Sequence, residues 1–148
     1  DKAIDLYSID THGVQPEYNP EIKEGYTGET IPSDGEFVDG VYVGGKVQVD
    51  IRPDAFSSPD LLVDTISHEA FHVQQFNEGR WYESSDGIAL NEIEAYNHNL
   101  SIKDILELSN STVKNGKSMI DFWYRVASPA ARELIDKGIF ILPTPVPK

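Results

Sequence analysis

His68-Glu69-Ala70-Phe71-His72 is the segment of this 148-residue chain whose residue types and spacing best support chemistry. Four residues along an α-helix rise about 6 Å and turn about 400°, so two imidazoles at that separation leave the same face. Two neutral imidazoles so placed can share one divalent cation, and zinc (Zn2+) takes nitrogen ligands of this kind. Glu69, directly after the first histidine, can accept a proton from a metal-bound water. A third ligand must come from elsewhere in the chain. Asn91-Glu92-Ile93-Glu94-Ala95-Tyr96 offers two carboxylates at a suitable distance downstream. On a helix, Glu92 and Glu94 are turned about 200° apart, so only one of them can join the site. The angle alone leaves both open. His98 lies about 240° around from Glu92 and is expected outside its site.

Together, His68-Glu69-x-x-His72 and Asn91-Glu92-x-x-x-Tyr96 resemble the thermolysin-like, or gluzincin, zinc metallopeptidases. That family carries H-E-x-x-H followed by N-E-x-x-x-D, and the twenty positions from His72 to Glu92 match its spacing. The resemblance implies His68, His72 and Glu92 as metal ligands and favours Glu92 over Glu94. This chain departs from the pattern at Tyr96, where the family has an aspartate that orients the first histidine. Tyr96 is able to replace it only through its hydroxyl. The metzincin pattern requires glycine at position 75 and a ligand at position 78, and this chain has Gln75 and Glu78 there. The wider segment from Val41 to Leu100 also resembles the small zincin domains at the C-termini of bacterial polymorphic toxins, including Rhs-type proteins. That likeness implies a secreted or delivered toxin domain, with a carrier protein and an immunity protein as partners.

The chemistry expected is hydrolysis of a protein or peptide substrate by zinc-activated water, with Glu69 as general base. Such reactions use a further donor for the oxyanion. Tyr82, in the loop after the active helix, and Tyr124 are candidates, each set against an ordinary packing role. The strand Lys46–Ile51, ahead of the active helix, is expected to be an edge to which a peptide could pair. Two competing functions carry the same motif: a non-catalytic zincin-like binding domain, and a metallohydrolase of a non-peptide bond. No G-x-S-x-G context or glycine-rich phosphate loop supports another hydrolase class or nucleotide binding.

Composition narrows the partners. Twelve Lys and Arg against 25 Asp and Glu give a formal charge of −13. This acidity argues against nucleic acid and against anionic membrane surfaces, both of which attract clustered cations. No apolar run is long enough to span a bilayer. There is no cysteine, which excludes disulfides and thiolate zinc sites. The chain begins at Asp1 and its one methionine is Met119, so it is expected to be a processed protein or a domain cut from a longer one.

The elements that must position these residues follow from periodicity. One zincin-like domain is expected over 1–148, of class α+β. Residues 1–36 are rich in turn formers and predict an irregular segment, with short strands near Ile4–Ile9. Val41–Ile51 predicts a β-hairpin turning at Gly44-Gly45, with Val47, Val49 and Ile51 buried and Lys46, Gln48 and Asp50 wet. Ser57 or Ser58 caps a helix over Pro59–Glu78 that Gly79 ends, with Leu62, Ile66, Ala70 and Val73 as its core stripe. A second helix is predicted from about Ser85–Gly87 to Asn110, with Ala89, Ile93, Tyr96 and Leu100 facing inward. A loop follows over Ser111–Lys117, then helices over Ser118–Ala127 and Pro129–Gly138. The proline-rich end, 143–148, predicts an extended tail.

Overall fold

In the computed structural model, residues 2–22 and 24–143 are described. The elements run α1 (Lys2–Tyr7), β1 (Glu17–Tyr18), β2 (Gly28–Val38), β3 (Val41–Ile51), a 3-10 turn at Pro53–Ser57, α2 (Pro59–Asn77), α3 (Ser85–Ser101), α4 (Asn110–Val126) and α5 (Pro129–Asp136). The class is α+β, as the order of patterns predicted. The strands form one sheet in the order β1-β3-β2, with β2 antiparallel and β1 parallel to the central β3.

The predicted hairpin within Val41–Ile51 is instead one continuous strand, and its partner is β2, inside the segment expected to be irregular. The chain reverses at Asp39-Gly40, whose φ values of 50° and 80° are those of a tight primed turn. Gly44 and Gly45 do have positive φ, 70° and 72°, but they lie within β3 opposite Asp34, itself at φ 61°. A side chain at Gly45 would run into the Ser33 carbonyl. Gly45 therefore serves a close approach of two strands rather than a reversal.

Val49 and Ile51 turn inward against Ala55 and against Ile66 and Val73 of α2, forming one core. Ala3 and Ile4 pack on its edge from a helix, not from the short strand expected there. A strand would have placed Ile4 and Leu6 on one face; the helix separates them and leaves Leu6 75% exposed. Asp50 belongs to the face expected to be wet, yet it is only 2% exposed. The N-terminal segment covers it through β1, and its carboxylate accepts from Asn19 Nδ2 at 2.7 Å and Gln48 Nε2 at 2.5 Å.

α2 begins as its sequence predicts. Ser58 Oγ accepts from Leu61 N, Pro59 follows, and Gly79 leaves the helix at φ 72°. α3 is capped by Ser84 and stops at Ser101, well short of Asn110. The Ser101 hydroxyl donates to the His98 carbonyl at 2.6 Å, competing for an oxygen that would continue the helix. Ser109 then caps α4, which absorbs the expected loop over 111–117. Gly116, expected in a loop, lies where a Cβ would be in ordinary contact with Leu100 of α3, so it belongs to the α3–α4 interface. Ser128 caps α5, which ends at Asp136, two residues before the expected Gly138. The expected tail lies, apart from Pro143, outside the described residues. Among the described residues no helix is long and apolar enough to cross a membrane.

Candidate metal centre

α2 and α3 pack side by side and are joined by buried amides at two levels. At one level, Asn99 of α3 accepts from Ser67 Oγ at 2.8 Å and donates to the Asp64 carbonyl and carboxylate, both at 2.8 Å. At the other, Gln75 of α2 donates to the Asn91 carbonyl at 3.0 Å and to Glu94 Oε2 at 2.9 Å. His68, His72 and Glu92 lie between these levels.

The two imidazoles leave the same face of α2, 8% and 6% exposed, with ring centroids 4.6 Å apart. Their Nε2 atoms stand 3.0 Å from each other. Glu92 closes a triangle, with Oε2 at 3.2 Å from His68 Nε2 and Oε1 at 3.3 Å from His72 Nε2. Donors bonded tetrahedrally at zinc-like distances stand about 3.3 Å apart, so this triangle fits one face of such a site. His68, His72 and Glu92 can hold a metal ion.

Electrostatics agree with that fit. Burial opposes a charge on His72, but the neighbouring Glu92 carboxylate outweighs it and raises the pKa to about 9. Burial pushes Glu92 the opposite way, and the imidazoles beside it hold it well below the usual carboxylate range. The pocket thus favours positive charge between its imidazoles and its carboxylate, which a divalent cation supplies with both rings neutral.

Glu69 is buried beside this cluster, and its charge acts on both His72 and Tyr96. Its Oε2 accepts from Thr30 Oγ1 of β2 at 2.6 Å. The start of β2 lies so close that a Cβ at Gly28 would sit 2.9 Å from Glu69 Cγ and 2.8 Å from Thr65 Cγ2. The expected edge at Lys46–Ile51 is closed only at its end, where β1 pairs with Asp50 and Ile51. β2, the outer strand on the other side of β3, is the one whose Thr30 reaches Glu69 of α2.

Glu94, the rival ligand, is engaged elsewhere. Its carboxylate takes Gln75 and Arg80, the latter at 2.6 Å. His98 stacks on Phe71 at 4.7 Å, away from the triangle, and burial lowers its pKa. Glu78, the metzincin position, pairs with Arg80 at 2.6 Å. Tyr96 meets His68 with its ring, centroids 4.4 Å apart, rather than with its hydroxyl. His68 Nδ1 is buried without a hydrogen-bond partner among the described residues. Tyr96 thus packs the first histidine and does not replace the missing aspartate through a hydrogen bond.

The structure does not bring Tyr82 or Tyr124 to the cluster. Tyr82 packs against Gly87, its hydroxyl accepts from Leu142 N, and it lines a cavity that includes none of the three ligands. Tyr124 donates to Asp136 of α5, with Arg132 over its ring. The sequence reading missed Thr30 and Gln75. Thr30 carries no local signal, since it lies 39 residues before Glu69. Gln75 had one: three residues after His72 on the same helix, its amide is within reach of that ring. The chain matches no family model, no curated protein and no solved structure.

Proposed function

We propose that this chain is a zinc-dependent endopeptidase. The observation that carries the reading is the triangle of His68, His72 and Glu92 donors with Glu69 beside it. Two imidazoles and one carboxylate match the ligand set of catalytic zinc, which keeps an open position. Bound there, zinc supplies an acidified water and polarises a carbonyl oxygen. The protein supplies the proton traffic. Glu69 Oε2 is held by the Thr30 hydroxyl, which leaves Oε1 to accept a proton and return it to the leaving nitrogen. A substrate strand is accommodated along β2, the outer strand of the sheet, through main-chain hydrogen bonds.

The buried, hydrogen-bonded Glu69 favours catalysis over a purely binding role, since ligation does not require it. By resemblance to polymorphic-toxin zincins, the chain acts as a domain delivered into a target cell, accompanied by a carrier and countered by an immunity protein. The test is cleavage of a denatured protein mixture by the zinc-loaded protein, by the chelated protein and by Glu69→Gln. Cleavage by the first alone supports the reading. Equal behaviour of all three ends it.

A further inference from the structure

Gln75 is 0% exposed, and both ends of its amide are committed. Its Nε2 lies 3.0 Å from the Asn91 carbonyl and 2.9 Å from Glu94 Oε2. Each of those groups can only accept: one is a peptide oxygen, the other a carboxylate paired with Arg80. The amide hydrogens must therefore face them, because the flipped amide would set an oxygen against two oxygens. With that orientation fixed, Oε1 faces His72 Nδ1 at 2.8 Å and can only accept from it. Arg80 is itself fixed from both sides by Glu78 and Glu94.

We propose that Gln75, aligned by the Arg80–Glu94 pair and the Asn91 carbonyl, is a positioning residue that keeps the proton of His72 on Nδ1 and its Nε2 lone pair on the metal centre. The rival carboxylate of the sequence thus acts through two intermediaries rather than as a ligand. The two histidines are unequally prepared. His72 is oriented by a hydrogen bond, while His68 Nδ1 has no hydrogen-bond partner among the described residues and its ring packs on Tyr96. A ring whose far nitrogen is fixed loses less freedom on ligation, and such partners are worth about 10–100-fold in metal affinity.

This inference rests on the metal-binding part of the proposed function and not on peptide cleavage. The experiment combines zinc competition against a chromophoric chelator with long-range proton–nitrogen correlation spectra of the imidazoles in the zinc-loaded protein. In the natural protein, His72 is expected to show a protonated Nδ1 and a zinc-bound Nε2. Gln75→Leu should weaken zinc by about 10–100-fold. Glu94→Met should weaken it less, and Glu94→Gln, which keeps an acceptor for Gln75 and Arg80, should match the natural protein. Zinc binding through His72 Nδ1 overturns the proposal, as does Gln75→Leu binding within about twofold of the natural protein. Should Gln75→Leu not fold, the spectrum of the natural protein decides alone. Absence of zinc binding by the natural protein ends both this inference and the peptidase reading; zinc binding without proteolysis ends only the latter.

Discussion

Thr30 Oγ1 lies 2.6 Å from Glu69 Oε2, a hydrogen bond that joins the outer strand of the sheet to the middle of α2. The hydroxyl holds the carboxylate on one rotamer with one oxygen left over. Thr30→Val preserves shape and removes the donor. It should lower kcat by about 10- to 100-fold through misplacement of the base while zinc affinity stays unchanged. Steady-state kinetics beside a zinc titration check this, and an unaltered kcat would remove Thr30 from the machinery.

Glu92 and Glu94 should separate cleanly in metal analysis. Glu92→Gln replaces a ligand carboxylate by a weak amide donor and should reduce zinc affinity by more than about a hundredfold, beyond the usual loss from an outer partner. Glu94→Gln should retain zinc. Stoichiometric zinc in Glu92→Gln after dialysis would contradict the triangle.

The metal-free protein should lose stability in alkali. His72 has a folded pKa raised from 6.5 to about 9 by Glu92, against its burial. A raised value means stability fully present below pH 6.5 and lost as pH rises through about 9. Glu92 is shifted down from its ordinary 4.5, so its contribution is present above 4.5 and lost in acid. The pair therefore favours the fold most between 4.5 and 6.5. Urea unfolding of chelator-treated protein across this range and up to about pH 10 should show the midpoint falling on the alkaline side. His72→Gln should flatten that fall, and a natural protein with no fall would refute the coupling.

Asn99→Ala should be among the more damaging single changes. Asn99 is buried and serves Ser67 together with the Asp64 carbonyl and carboxylate. Removing it strands polar groups in the interior, at about 2–4 kcal/mol. Asp64 would lose the hydrogen bond that offsets part of its burial, which already raises its pKa. Urea denaturation measures the loss, and a change under about 0.5 kcal/mol would show that the two helices do not depend on this link.

The parts legible in the sequence were those whose signal is local. Helix α2 announced itself through Ser58, Pro59 and its apolar stripe, and the His68–His72 spacing needed only helical geometry. Glu92 was reachable by motif resemblance because it lies on the adjoining helix. The hairpin was misplaced because two turn signals compete along this stretch. Asp39-Gly40 makes the reversal, and Gly45 answers a close strand approach that only the partner reveals. α4 runs through Gly116, whose loop-like composition is overruled once it packs against Leu100. Asp50 and Thr30 were opaque for the same reason, since their surroundings come from residues about 30 to 40 positions away.

Because Asn99 and Gln75 tie the two helices together on either side of the triangle, the separation of its three donor side chains is governed by amides that are not donors themselves. A change at either amide should therefore be felt at the triangle without touching it.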